Sequence, residues 1–366
     1  MAPAYHLAER VSLAARNGFR VAARAELFID VRRVEALPEL MSMPYLRRAP
    51  LLVLGEGSNT LIVGDVPGAV LAIGAMERTV LSRDDDGALL RVGAGERWDD
   101  VVAWSLGLGL AGLENLVLIP GLVGAAPIQN IGAYGTEVGE FIETVEAWDR
   151  QADALVRLDR ARCAFGYRDS LFKREPSRWL VTAVELRLPR QRAPRIDYLG
   201  LPQELAALGA SEPPRPVQIA EAVSRLRTRK LPNPALTPNV GSFFRNPAVP
   251  QTQAQALQRE FPALPVWPLA DGEQAKLSAA WLIEHAGWKG AREGDAGVSA
   301  QHALVLVNHG QASGAQMFEL AQRIAESVLE RFGVWLEPEA RIVGARWPQS
   351  RDTAGTVRAA TAAPQA

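Results

Sequence analysis

The sequence predicts a globular protein of two or three domains that contains both strands and helices, and three observations carry that expectation. The chain has 366 residues, more than one ordinary hydrophobic core holds. Short apolar runs that stop at glycine or at an Asp-Gly turn alternate with stretches of helical period. The composition, 48% hydrophobic and 22% charged, is that of a soluble globular protein.

The elements follow in chain order. Leu51-Leu52-Val53-Leu54 stops at Gly55 and reads as a buried strand with a turn after it. Residues 63–73 and 89–92 read as further strands, with Asp84-Asp85-Asp86-Gly87 a turn between them. In residues 98–106, Trp98, Val101, Val102 and Ser105 recur at helical spacing. Residues 145–148 and 179–188 run apolar or alternate, as strands do. The cluster Pro213-Pro214-Arg215-Pro216 reads as a linker. A basic helix over 219–229 follows, ended by Leu231-Pro232-Asn233-Pro234. Residues 277–286 and 315–332 read as helices, with a strand at 303–308 between them. After Val343 the chain is small and polar and reads as an unstructured tail over 346–366.

Composition also excludes several functions. A formal charge of −1 gives no footprint for nucleic acid or an acidic membrane. With Cys163 as the single cysteine, neither an intrachain disulfide nor a cysteine cage for metal can form, which suits a reducing, cytoplasmic compartment. The first 20 residues lack the apolar segment of a secretory signal. Residues 116–136 carry no charge and are long enough to span a bilayer. Their prolines, glycines, Gln129 and Asn130 make a spanning helix too costly, so the segment reads as a loop buried in protein.

Two glycine loops are candidates for chemistry. Gly55-Glu56-Gly57-Ser58-Asn59 follows a strand, and its backbone N–H groups can cradle a phosphate, although a plain tight turn has the same composition. The uncharged run from Ile119 to Gly135 can offer an apolar slot, with Gln129, Asn130 and backbone amides for a flavin's polar edge and a pyrophosphate. A connection this long inside a domain is more often functional than not. Gly107-Leu108-Gly109-Leu110-Ala111-Gly112 matches the dinucleotide fingerprint, but a helical pattern precedes it where a strand is required. Gly107 therefore reads as a helix C-cap. His6, His285, His302 and His309 show no metal-ligand spacing, so no metal site is expected. Arg225-Leu226-Arg227-Thr228-Arg229-Lys230 is either a solvated helix face or a clamp for a diphosphate or carboxylate. Spacing alone leaves Ser242 and Glu339 open between ordinary surface roles and catalysis.

Taken together, Gly55–Asn59, VGAGE at 92–96, the run 112–135, FGYRDS at 165–170, residues 228–233, Gly241-Ser242-Phe243-Phe244-Arg245-Asn246-Pro247 and WLEPEAR at 335–341 resemble the UDP-N-acetylenolpyruvoylglucosamine reductases. They stand in family order over residues 17–344, and Tyr198 resembles the substrate-covering tyrosine of the type I branch. Asn17-Gly18-Phe19 departs from the usual Asn-Thr-Phe, and Ala125-Ala126 replace hydroxyl residues of some relatives.

The resemblance implies the α+β fold class, as a vanillyl-alcohol-oxidase-type (PCMH-type) FAD fold. Residues 17–77 and 78–214 would form two FAD subdomains, joined by residues 334–345, and 217–333 a smaller α/β substrate domain. It implies FAD bound without a covalent tether, at Gly55, Glu56, Gly57, Ser58, Asn59, Gly121, Gly124, Gln129, Asn130, Gly132, Ala133 and Tyr134. It implies NADPH as hydride donor and UDP-N-acetylglucosamine enolpyruvate as substrate, gripped by Tyr167, Tyr198, Lys230 and Asn246. Arg168 and Glu339 would stabilise the enolate-like state, with Glu339 protonated because a bare carboxylate would repel that charge. Ser242 would protonate carbon. No partner beyond these small molecules is implied, and a monomer is expected. The competing reading is a flavin oxidase of the same fold. Such enzymes often tether FAD through His or Cys, and neither residue lies in the glycine loops.

Overall fold

The structure, a computed structural model, describes residues 3–269 and 272–349. Its contacts gather into two compact units, one of Met1–Val11, Ala25–Glu56 and Pro67–Arg229, the other of Ser12–Arg24, Gly57–Val66 and Lys230–Ala366.

The first unit holds two sheets. A four-stranded sheet runs in the order Tyr5–Ser12, Arg24–Val31, Val66–Ile73, Leu51–Val53. A five-stranded antiparallel sheet runs Ala154–Asp159, Ile142–Asp149, Trp179–Pro189, Gly87–Gly93, Arg78–Arg83. Trp179–Pro189 is central and buried on both faces, which explains its nearly unbroken apolar run. Trp148 and Leu180 reach the core beneath the first sheet, among Ile29, Leu37, Leu40 and Leu71. On the other side, helix Trp98–Gly107 packs Trp98, Val101 and Val102 on Leu90, Val92 and Val184. Asp99 and Asp100 in its first turn meet the positive end of the helix dipole. Buried Glu146 and Glu185 carry charge into the sheet only because arginines reach them: Arg91 at 2.7 Å from Glu146, and Arg157 at 2.7 Å from both carboxylates.

Helices Leu201–Ala207 and Pro216–Lys230 close the unit by packing Leu201 and Leu205 on Ile219, Val223 and Leu226. The proline cluster expected to be a linker is the bend of this helical hairpin. Gly107 is not the C-cap that its position suggests: it is the last helical residue, Leu108 caps, and Gly109 takes the left-handed backbone at φ +73°. The rejection of a dinucleotide fingerprint stands, because Gly112 answers packing instead. A Cβ there would lie 2.6 Å from the Phe141 ring.

The second unit is built on the sheet Asn239–Ser242, Val305–Asn308, Ala296–Val298, Arg292–Glu293 and on a three-stranded sheet of Ala248–Pro250, Gln274–Leu277 and Val266–Pro268. Helix Gly314–Phe332 has the periodicity expected of it, burying Met317, Leu320, Ile324, Val328 and Phe332, each worth about 1.5–3 kcal/mol. Ser313 and Gln316 form its capping box, and Gly333 ends it at φ +64°. A Cβ on Gly314 would stand 1.9 Å from the Ile62 carbonyl, so the helix can start only with glycine against strand Thr60–Ile62. That strand pairs in parallel with Arg341–Val343.

Several expected boundaries moved. The strand expected from Val63 begins at Val66, because Val63 instead donates to the Val343 carbonyl. The helix expected from Leu277 starts at Ala279; Leu277 closes a strand and Ser278 caps the helix. Strands Tyr5–Ser12, Arg24–Val31 and Arg78–Arg83 went unread; the first and last are sheet edges with little buried face to impose alternation. Trp347, inside the tail expected over 346–366, is packed, and residues 350–366 lie outside the described residues. The charge-free run 116–136 contains only short 3-10 turns and two-residue strands, and among the described residues no helix is long and apolar enough to cross a membrane.

Asp149 makes a local test of this framework. Arg178 holds its carboxylate at 2.9 and 2.6 Å while lying 4.2 Å over the Trp179 ring. Hydrogen bonding by Arg178 pushes the Asp149 carboxyl down to about 2 from 3.8. A depressed folded value means that the pair stabilises the fold above the unfolded value and that this share is lost as pH falls toward about 2. Asp149→Asn should cost about 1–3 kcal/mol at neutral pH and flatten the acid limb of the stability curve between roughly pH 4 and 2, as measured by urea unfolding across pH.

Candidate active site

The uncharged loop is folded against the turn between strand Gly87–Gly93 and helix Trp98–Gly107. Trp98 N–H bonds the Gly121 carbonyl at 2.9 Å, Val123 N–H the Glu96 carbonyl at 2.8 Å, and Gly124 N–H the Ala94 carbonyl at 3.0 Å. Gly124 has to be glycine, as its Cβ would fall 2.7 Å from that of Ala94. Beyond it the chain turns with positive φ at Asn130 and Tyr134.

Asn130 is buried, and its side chain is committed to the protein. Nδ2 donates to Glu137 Oε2 at 2.7 Å and to the Gly166 carbonyl at 3.0 Å, while Oδ1 accepts from Gly139 N–H at 2.8 Å. The amide expected to meet a flavin edge is thus a framework group, and the Asn130 backbone N–H is also taken, by the Pro127 carbonyl at 3.3 Å. Half-buried Gln129 lies beside it, followed by Gly132 and Ala133, which pair with Glu137 and Thr136.

Two more bonds lace the FGYRDS segment to the same loop. Ser170 Oγ donates to the Ile128 carbonyl at 2.5 Å, and Arg168 Nη2 to the Gly132 carbonyl at 2.8 Å. Arg168 has φ +52°, a conformation that costs a non-glycine residue about 1–3 kcal/mol and clusters at functional sites. Lys173 Nζ holds its carbonyl at 2.7 Å, and Gly166 and Asp169 exchange backbone bonds around it. A Cβ on Gly132 would press Arg168 Nη1 at 3.1 Å and Glu137 at 2.9 Å, so glycine here makes room for the guanidinium. Tyr167 is exposed, with the Arg168 guanidinium 5.7 Å from its ring.

Tyr134 and the exposed Tyr198 meet edge to face at 4.7 Å. Arg227, which the basic run hid among four cations, sits beside both. Burial lowers its affinity for a proton, opposed by Tyr134, Asp99 and Tyr198, and its Nη2 donates to the Leu118 carbonyl at 3.2 Å. Neighbouring Arg229 instead pairs with buried Glu204. Burial pushes the Cys163 thiol up to about 12, so it is no thiolate nucleophile. Gly55 and Glu56 end the first unit's part of the other glycine loop, Glu56 lying 3.9 Å from Arg97.

In the second unit, Gly57 has φ +64°, and a Cβ would be 2.3 Å from the Arg16 carbonyl. Gly18 donates its N–H to Gly57 at 3.0 Å and abuts the Asn239 carbonyl, where a Cβ would stand 2.4 Å away. The departure from Asn-Thr-Phe is therefore matched to this chain's own packing. A bulge between Asn239 and Ser242, with Gly241 at φ +72°, re-aims the end of that strand. Ser242 precedes buried Phe243 and Phe244. Glu339 N–H donates to the Phe243 carbonyl at 2.7 Å, Phe244 bridges to Pro338, and Arg245 pairs with Glu337. Asn59 flanks the same place, its Nδ2 reaching the Glu339 carbonyl at 3.4 Å and its carbonyl accepting from Arg341 N–H at 2.9 Å. Asn59, Glu339 and Phe243, the residue after Ser242, thus share one neighbourhood. Asn246 accepts from Ala279 N–H at 3.0 Å, the first N–H of the helix that Ser278 caps. Exposed Lys230 ends its helix near His302, whose proton affinity falls through burial and then through the charges of Lys289 and Lys230. Among the described residues no group of three or more His, Cys, Asp or Glu could hold a metal.

This fold, with its uncharged loop on an antiparallel sheet, defines an FAD-binding oxidoreductase: residues 25–157 match the model of the FAD binding domain. Residues 233–343 match the model described as UDP-N-acetylenolpyruvoylglucosamine reductase, C-terminal domain. The UDP-N-acetylenolpyruvoylglucosamine reductase of Xanthomonas euvesicatoria pv. vesicatoria is 54% identical over 343 residues, 94% of this chain and 98% of that one. The protein of the same name from Xanthomonas campestris pv. campestris is 52% identical over the same shares. The crystal structure of UDP-N-acetylenolpyruvylglucosamine reductase from Thermus caldophilus superposes with a TM-score of 0.63 at 27% identity, covering 93% of this chain and 99% of that one. The chain belongs to the UDP-N-acetylenolpyruvoylglucosamine reductase family. The resemblance read from the motifs and the fold class it implied are both borne out.

Asn130→Ala should remove three framework bonds at once, costing about 2–4 kcal/mol of stability at about 1 kcal/mol per bond. It should also loosen residues 165–170, raising their hydrogen exchange, and weaken retention of the yellow cofactor through gel filtration. Unchanged exchange at 165–170 would contradict the framework role.

Proposed function

We propose that this chain reduces UDP-N-acetylglucosamine enolpyruvate to UDP-N-acetylmuramate at the expense of NADPH, through non-covalently bound FAD, as a step of peptidoglycan precursor synthesis in the cytoplasm. The observation that carries the reading is the bond from Glu339 N–H to the Phe243 carbonyl, which sets the acid beside the Ser242 segment. We assign FAD to residues 17–77 and 78–214 with the returning segment 334–345, and the substrate to 217–333. The donor set fits the cofactor: a loop without charge suits the apolar isoalloxazine, its backbone amides suit the polar edge, and the Arg227 guanidinium supplies a fixed cation for a pyrophosphate. The buried, protonated Cys163 and the absence of His from the glycine loops argue for a cofactor held without a tether, and against the oxidase reading.

When bound, FAD would supply the redox chemistry, taking hydride from NADPH and offering it to the enolpyruvyl methylene carbon. Everything else falls to side chains. Arg168, held in its strained turn, stabilises the negative charge that develops on the adjacent carbon and the carboxylate. Glu339 shares that work. Ser242 gives its hydroxyl proton to the carbon, a transfer that the high basicity of an enolate carbon makes feasible. Tyr167, Tyr198, Lys230 and Asn246 are proposed to grip the nucleotide sugar, with Lys230 on its phosphates.

The two half-reactions separate these roles. Ser242→Ala should bleach its flavin with NADPH at close to the wild-type rate, while reoxidation by the enolpyruvyl substrate slows by about 10²–10⁴-fold. Arg168 and Glu339 variants should behave alike, since they meet only the second transition state. Single-turnover stopped-flow at the flavin absorbance reads both steps, and slow reduction with normal reoxidation would remove the proton-donor role. Lys230→Ala should raise KM by a factor worth about 1–3 kcal/mol, and an unchanged KM would remove Lys230 from the phosphates. Flavin that stays with the denatured chain on filtration would refute non-covalent binding.

A further inference from the structure

The family model for the C-terminal domain stops at residue 343, yet the chain continues into an aromatic cluster. The Trp347 ring lies 5.9 Å from Phe244 at 63°, 5.7 Å from Phe318 at 83°, and 5.9 Å from Trp335 at 38°. Its Nε1–H donates to the Leu336 carbonyl at 3.3 Å. One side chain thus touches three stretches: the strand exit just after Ser242, the long helix Gly314–Phe332 through Phe318, and the segment 335–336 that leads into Glu339.

We infer that Trp347 is a positioning residue, which clamps the Glu339-bearing segment to the Ser242 strand from outside the family's matched domain. Glu339 and Ser242 are joined by backbone contacts at Phe243 and Phe244, and the outer side of Phe244 is covered by Trp347. The indole bond to Leu336 holds the approach to Glu339 at its other end. Without the ring, the segment 335–340 keeps its backbone bonds to Phe243 but loses the wedge that sets its distance from Phe244. Misplacing a reacting group by about 1 Å can cost about 10²-fold in rate, so a remote ring can act on chemistry through geometry alone. The inference rests on the roles proposed for Ser242 and Glu339.

The test uses the full FAD-loaded chain with Trp347→Ala, Trp347→Leu and Trp347→Phe in the same stopped-flow assay. Alanine and leucine variants should accept hydride from NADPH at close to the wild-type rate. They should then be reoxidised by UDP-N-acetylglucosamine enolpyruvate about 10-fold to 10²-fold more slowly, with kcat lowered and KM little changed. Phenylalanine, which keeps a ring edge for Phe244, should restore most of the rate. The leucine variant keeps an apolar side chain in place of the ring, so it reports the role even if the alanine variant does not fold. A leucine variant at the wild-type rate, or equal slowing of both half-reactions, would overturn the positioning role while leaving the proposed function intact. Reduced wild-type enzyme that this substrate fails to reoxidise would instead refute the proposed function.

Discussion

The bond between the N–H of Glu339 and the carbonyl of Phe243 joins the middle of the second unit to the far end of the described chain. Around it the structure stacks further constraints: the Phe244–Pro338 bridge, the Arg245–Glu337 pair, and Asn59 on the opposite flank of Glu339. Strand Thr60–Ile62 then aligns in parallel with Arg341–Val343, so the glycine loop and the C-terminal acid are held in one register. Backbone hydrogen bonds suit this task because their geometry tolerates little drift and they survive changes of side chain.

The first unit solves a different problem, that of holding an uncharged loop without charges of its own to anchor it. Buried polar groups need partners, and one Asn130 side chain supplies two backbone groups and the Glu137 carboxylate. Ser170 and Arg168 add bonds to the carbonyls of Ile128 and Gly132. The strain of Arg168 at φ +52° persists because these contacts and Lys173 over-determine its turn. Arginine does much of the framework work elsewhere too: Arg91 and Arg157 neutralise the two carboxylates buried in the five-stranded sheet, and Arg178 clamps Asp149. A planar fork with several donors can serve two carboxylates at once, which a lysine serves less well.

Much of the architecture was legible in the chain. Apolar periodicity located the central strand Trp179–Pro189 and the helices Trp98–Gly107, Pro216–Lys230 and Gly314–Phe332 within a few residues. It failed where a strand has almost no buried face, as at the edge strands Tyr5–Ser12 and Arg78–Arg83, because nothing there forces an alternating pattern. It failed also at Val63, whose partner is Val343: a strand end set by a distant pairing leaves no local mark.

The same division holds for the candidate site. The residue types, their order and the uncharged character of the loop are properties of the sequence, since the chemistry of a flavin slot and of a phosphate cradle dictates composition. Which member of each motif faces a ligand is decided only by tertiary structure. Asn130, chemically able to meet a flavin edge, is spent on Glu137, Gly166 and Gly139. Arg227 stands out from its basic run because burial beside Tyr134 isolates it, while Arg229 is paired with Glu204. Hydrogen-bond capacity is finite, and only the folded chain determines which groups have already used theirs.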